Sequence, residues 1–169
     1  MTKKTLGLLT LLAALLTAVL PASPASASGD SVINPPGHYG LATLVSAPRC
    51  LVVFANGSMG SLASLTTCGN YDDQSWYVPS AGQTGEIRNK FNGGCLTVQG
   101  QNPGAQAFTY SCTGLADQQW RAVLEPGRNG AVTYRNVNSN QCLTAQGNSE
   151  GTVAMQYWCG PYLDQIWQA

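Results

Sequence analysis

The sequence predicts an all-β fold of three pseudo-symmetric repeats, on three observations. The pattern Asp-Gln-x-Trp is written three times, ending at Trp76, Trp120 and Trp167, so that the tryptophans fall 44 and then 47 residues apart. Cys68, Cys112 and Cys159 each stand eight residues before their tryptophan. Short strand-like runs alternate with turn residues every eight to twelve positions, and no window sustains a helical period. Spacing this regular is an internal repeat.

Each repeat offers about four short strands, too few to enclose a core by themselves. Three such units sharing one core around a pseudo-threefold axis make a β-trefoil, with repeats at about 39–83, 84–129 and 130–169.

Taken in order, the chain opens with Lys3 and Lys4, an apolar run over 6–20, and a Pro21-Ala22-Ser23-Pro24-Ala25-Ser26-Ala27 end rich in small residues. That is the pattern of a secretory signal peptide over 1–27. A membrane anchor is the competing role, but about fifteen apolar residues fall short of the roughly 20 a span needs. Without this leader 142 residues remain, with six basic against eight acidic side chains, a net charge of −2. A weakly acidic chain is a poor binder of phosphate backbones, so nucleic acid is excluded as a partner. Nor is a membrane expected as partner once the signal is removed. Residues 28–38 lack periodicity and read as a flexible lead-in.

The first repeat then runs through a strand at 41–46, Cys50-Leu51, a turn at Asn56-Gly57, a strand over 62–68 and Gln74-Ser75-Trp76. The second has strands at 86–90 and 107–112 around Cys95-Leu96 and a turn near Asn102-Pro103-Gly104. The third repeats this with 132–137, Cys142-Leu143, a turn over 147–151, 153–159 and Gln165-Ile166-Trp167. Asn56-Gly57-Ser58 is formally an N-glycosylation acceptor and equally a turn.

The six cysteines fall into pairs separated by 18, 17 and 17 residues. Fifteen connectivities are possible; the simplest joins equivalent positions within equivalent repeats, as Cys50–Cys68, Cys95–Cys112 and Cys142–Cys159. Export supplies the oxidising surroundings this needs. A zinc site is the rival use of the cysteines, but short Cys-x-x-Cys pairs are absent and His38 is the only imidazole. No metal or other cofactor is expected.

Catalysis finds little support. No serine sits in a Gly-x-Ser-x-Gly turn. Asp73, Asp117 and Asp164 occupy equivalent positions of three lobes, and carboxylates held apart around an axis do not meet across one glycosidic bond. The chain is therefore expected not to be an enzyme. Trp76, Trp120 and Trp167 invite a sugar-stacking role, but one large ring per repeat at a fixed position is what a shared core requires. With Gln74, Gln118 and Gln165 they are assigned to the structural core.

Three copies of Cys-Leu-x-x, a second Cys and Gln-x-Trp, from about Tyr39 to Ala169, resemble the ricin-type β-trefoil lectin family, also classed as carbohydrate-binding modules. The resemblance implies sugar contacts at three positions per repeat. The acidic position two after the first cysteine holds Val52, Thr97 and Thr144; the aromatic position two before the second holds Thr66, Tyr110 and Tyr157; the position before Gln-x-Trp holds Asp73, Asp117 and Asp164. The first repeat keeps only its aspartate and is expected to be structural. The candidate carbohydrate-binding residues are thus Thr97, Tyr110 and Asp117 in the second repeat and Thr144, Tyr157 and Asp164 in the third. Phe108, Gln99, Gln156 and Trp158 are lesser contributors, and half-exposed packing is the competing role for both tyrosines. The function implied is that of a secreted, monomeric, non-catalytic domain with weak affinity at each site for galactose- or xylose-type sugars or a polysaccharide. The alternative is a trefoil protein-interaction or inhibitor module that has lost sugar binding.

Overall fold

A computed structural model of the chain describes residues 31–33, 49–54 and 57–168. The expected signal peptide, His38, the expected strand at 41–46 and Asn56 lie outside the described residues. The remainder is all-β, a β-trefoil of three lobes.

Lobe 1 contains the hairpin β2 (Arg49–Val53) and β3 (Ala63–Thr67), followed by β4 (Trp76–Val78). Lobe 2 contains β5 (Thr84–Glu86), β6 (Arg88–Asn89), the hairpin β7 (Cys95–Val98) and β8 (Ala107–Tyr110), and β9 (Gln119–Leu124). Lobe 3 contains β10 (Val132–Asn136) and the hairpin β11 (Cys142–Thr144) and β12 (Met155–Tyr157). Ahead of them, β1 (Ser31–Ile33) pairs antiparallel with β4. Within the expected flexible lead-in over 28–38, residues 31–33 are thus a strand: Ser-Val-Ile is too short to register as a strand alone, but the unpaired edge of β4 gives it a ladder.

Each hairpin turns one side inward. Leu51 faces Leu65, Leu96 faces Thr109 and Leu143 faces Gln156 in register, and the alternation of side chains along a strand carries the intervening residues to the outer face. The inward residues Leu51, Leu65, Leu96 and Leu143 join Trp76, Trp120 and Trp167 in one buried cluster. Each indole Nε1 donates to the backbone carbonyl of its own lobe's leucine: Trp76 to Leu51 at 2.9 Å, Trp120 to Leu96 at 2.9 Å and Trp167 to Leu143 at 3.0 Å. A buried indole needs such a partner, and its threefold repetition makes the Gln-x-Trp tryptophan an anchor between the core and each hairpin.

The disulfides Cys50–Cys68, Cys95–Cys112 and Cys142–Cys159 close one loop in each lobe. Loops of this length stabilise by about 3 kcal/mol each on the chain-entropy argument.

The lobes meet at three equivalent seams, marked by the bridges Leu62 to Phe108, Gln106 to Met155 and Ser64 to Val153. Two buried asparagines add side-chain ties across lobes. Asn89 Nδ2 donates to the carbonyl of Asp73 at 2.9 Å, and Asn136 Nδ2 to that of Asp117 at 3.0 Å.

Candidate functional site

The motif aspartates do not lie on strands. They sit in three single 3-10 turns, Asp72–Gln74, Ala116–Gln118 and Leu163–Gln165, each closed by a backbone bond from the motif glutamine to the residue before the turn, such as Gln118 N to Leu115 O at 2.9 Å. The glutamine side chains then fasten the loop that follows the second cysteine. Their Oε1 atoms accept from the amides of Gly69, Thr113 and Gly160 at 2.7, 2.7 and 3.0 Å. Their Nε2 atoms donate to the carbonyls of Thr67, Ser111 and Trp158 at 3.2, 2.9 and 2.8 Å. All three glutamines are buried, and satisfied buried amides are structural devices.

In lobe 2 the cross-strand pairs Cys95–Tyr110 and Thr97–Phe108 place Tyr110 and Phe108 on the outer face. Tyr110 is 49% exposed. Its ring meets Phe108 edge-on, with centroids 6.3 Å apart and planes at 77°. The Asp117 turn is docked onto this same face, because Gln118 Nε2 donates to the Thr97 hydroxyl at 3.1 Å. Lobe 3 repeats the arrangement: Tyr157 lies opposite Cys142, and the Asp164 carbonyl accepts from Ala145 N at 3.0 Å at the end of β11. Tyr157 is half-buried.

The two threonines differ from expectation. Thr97 and Thr144 are only 2% and 1% exposed, and each hydroxyl donates to its own strand, to Cys95 O and Cys142 O at 2.9 Å. A β-branched side chain with a short hydroxyl finds a backbone carbonyl two residues back rather than reaching outward. Neither offers an exposed hydroxyl to a ligand. Gln156 is likewise corrected: fully buried, it accepts from Ser139 Oγ at 2.6 Å and donates to Asn102 O at 3.0 Å.

In every lobe one oxygen of the motif aspartate, Oδ1 of Asp73, Asp117 and Asp164, is buried without a hydrogen-bond partner among the described residues. Burial raises the Asp164 carboxyl above the ordinary aspartate value of 3.8, with its own backbone amide acting in the opposite direction. Lobe 1 carries Thr66 where lobes 2 and 3 carry Tyr110 and Tyr157. Val52 is buried, and Thr66 is buried with its hydroxyl donating to Glu150 at 3.1 Å.

Glu86 lies close to the sulfurs of Cys95 and Cys112. Those sulfurs are joined to each other, and a disulfide sulfur is not the thiolate a metal requires.

Sequence reasoning missed Asn89 and Asn136. Their signal was present: an Arg-Asn pair ending six residues before the first cysteine of lobes 2 and 3. Holding the aspartate carbonyls, these residues position the turns from the neighbouring lobe.

A groove of about 390 Å³ runs beside Tyr110, lined also by Leu62, Gln99, Gln106 and Phe108.

Comparison with known proteins agrees with this construction. The description of the ricin-type β-trefoil lectin domain matches residues 40–167. No curated protein matches the chain. Among solved structures, the designed threefold-symmetric protein ThreeFoil is 24% identical, with a TM-score of 0.66 over 72% of this chain and 89% of that one. The hemolytic lectin CEL-III is 26% identical, with a TM-score of 0.60 over 72% of this chain and 27% of that one. The agglutinin from Abrus precatorius is 25% identical, with a TM-score of 0.56 over 71% of this chain and 43% of that one. This chain thus spans less than half of either lectin. Ricin-type domains are carbohydrate-binding modules, and the match over most of the chain supports carbohydrate binding in general. With its three-lobed fold and repeated Gln-x-Trp anchors, the chain belongs to the ricin-type β-trefoil lectin domain family.

Proposed function

We propose that the chain is a secreted, non-catalytic carbohydrate-binding domain whose working sites lie on lobes 2 and 3. The observation that carries this reading is the pairing, in those two lobes, of a tyrosine on the outer hairpin face with an aspartate turn docked onto the hairpin by the Gln118–Thr97 bond in lobe 2 and the Ala145–Asp164 bond in lobe 3. The tyrosine ring covers the apolar face of a pyranose, and the carboxylate accepts from its hydroxyls at about 1 kcal/mol per bond, up to about 3 when charged. With both threonine hydroxyls bonded to their own strands, few polar contacts remain. Affinity for a single sugar of galactose or xylose type then falls between millimolar and high micromolar, on a scale of about 1.4 kcal/mol per decade. Two sites on one rigid body raise retention on a polymer through multivalency.

The test is retention on galactose-bearing resin and on insoluble xylan. Tyr110→Ala combined with Tyr157→Ala should lose retention while keeping the parent's circular dichroism; a double variant retained like the parent would refute the assignment. Secretion is tested by recovering the protein from culture medium with Ser28 at its N-terminus.

The burial of Thr97 and Thr144 favours one second reading, a trefoil that keeps the fold and binds a protein instead. A glycan array without hits, together with capture of one specific protein, would select it.

A further inference from the structure

The three seams between lobes begin from equivalent backbone contacts, yet they are finished differently. Where lobe 3 meets lobe 1, Thr66 donates to Glu150 at 3.1 Å, Arg49 Nε donates to Asn148 O at 3.3 Å, and Arg49 lies 3.9 Å from Glu150. Where lobe 2 meets lobe 3, Gln156 donates to the carbonyls of Gly100 and Asn102, and Gln141 Nε2 to Gln101 O at 2.6 Å. Polar side chains close both seams.

Between lobes 1 and 2 the side-chain ties, from Asn89 to Asp73 O and from Lys90 to Asp72, lie at the Asp72–Gln74 turn, and the stretch where Leu62 meets Phe108 is tied by backbone bonds. Gly60 N donates to Thr109 O at 2.6 Å and Thr109 N to Ser61 O at 3.0 Å. The approach is close: a Cβ at Gly94 would lie 3.1 Å from Met59 Sδ, and one at Gly57 only 2.7 Å from the Phe91 ring. The side chains that line this seam remain open to solvent. Leu62 is 40% and Met59 44% exposed, and the 390 Å³ groove opens between Leu62 of lobe 1 and Phe108 of lobe 2.

We infer that this groove is an extended subsite that binds a further residue or two of a neutral oligosaccharide whose first sugar sits on Tyr110. The inference rests on the carbohydrate-binding reading above and assigns it a ligand class, a glycan chain rather than a single terminal sugar. Three features point to that occupant. Tyr110 and Phe108 stand at 77° and give two adjoining aromatic surfaces in different orientations, as successive rings of a chain require. Gln99 and Gln106 are exposed on the same rim; an amide both donates and accepts, so each suits a hydroxyl. Among the described residues no charged side chain lines the groove, which disfavours uronic or sulfated sugars. Its volume lies in the range of about 300–1,000 Å³ that holds ligands larger than one small ring.

The test uses Tyr157→Ala as background, so that lobe 3 does not contribute, and calorimetric titration with two series of one to four residues, xylose to xylotetraose and galactose to β-1,4-galactotetraose. In one series affinity should rise about tenfold, or about 1.4 kcal/mol, from monosaccharide to tetrasaccharide. Leu62→Ser with Gln106→Ala should remove most of that rise and leave monosaccharide affinity and melting temperature unchanged, whereas Tyr110→Ala should weaken every member. Monosaccharide binding without a rise on lengthening, or a rise that survives Leu62→Ser with Gln106→Ala, overturns the extended subsite and leaves the carbohydrate reading intact. No binding to any member of either series overturns both.

Discussion

Asn136 of lobe 3 reaches across to lobe 2, and its Nδ2 donates at 3.0 Å to the carbonyl of Asp117. The same side chain accepts from the amides of Asn138 and Ser139 through Oδ1. One buried asparagine thus fastens a turn of its own lobe and the site turn of its neighbour.

Asn136→Ala should therefore act twice. Unmaking these bonds inside the protein should lower stability by about 2–3 kcal/mol, seen as a lower denaturant midpoint. It should also weaken sugar binding at lobe 2 and spare lobe 3, which titration in Tyr157→Ala and Tyr110→Ala backgrounds separates. Equal weakening in both backgrounds would mean that the asparagine supports the fold alone.

Two conservative aromatic substitutions should move stability in opposite directions. Trp120→Phe removes the indole donor and leaves the Leu96 carbonyl without its 2.9 Å bond, at a cost of about 1–3 kcal/mol beyond the smaller ring's lost packing. Tyr134→Phe removes a buried hydroxyl that has no partner among the described residues, beside a cavity of about 20 Å³ in the core. That burial also pushes the phenol's ionisation upward. Deleting it should stabilise by about 1 kcal/mol, since an unpaired buried hydroxyl is a penalty. Guanidinium unfolding of both variants, with unchanged slopes, checks the pair.

Asp164 should confer a defined pH dependence. Its folded carboxyl is raised above 3.8 by burial, so the folded state disfavours the charge. Its stabilising contribution is present below the unfolded value near 3.8 and is lost as pH rises through the folded value. Asp164→Asn should consequently be more stable than the parent at neutral pH, and the difference should shrink as pH falls through that window. Thermal unfolding of both proteins across the acidic range measures it; a difference independent of pH would contradict the assignment.

Opening Cys142–Cys159 by a double Ser substitution should cost about 2–5 kcal/mol and reduce binding at lobe 3 more than at lobe 2, because that bond closes the loop onto which Gln165 fastens the Asp164 turn. Titration of each lobe, as for Asn136, shows whether the effect is local.

Much of this architecture was legible in the chain because it repeats. The interval between cysteine and Gln-x-Trp and the alternation through Leu51, Leu96 and Leu143 are one-dimensional patterns. They identify an all-β fold with equivalent disulfides and a shared core, since only a threefold arrangement lets three small units bury one ring apiece in common. The tyrosines of lobes 2 and 3 are located through the resemblance to the ricin-type family, two residues before the second cysteine of each repeat.

Only the tertiary structure decided how those positions are used. Whether Thr97 and Thr144 face a ligand depends on the rotamer their strands allow, and both hydroxyls turn back to the backbone. Asn89 and Asn136 matter through partners in a neighbouring lobe, at separations that no local pattern reports. The open seam beside Tyr110 exists because Leu62 and Phe108 meet there, while polar side chains close the other two seams. Repetition along the chain specifies what the lobes share; their differences acquire meaning only where the lobes touch.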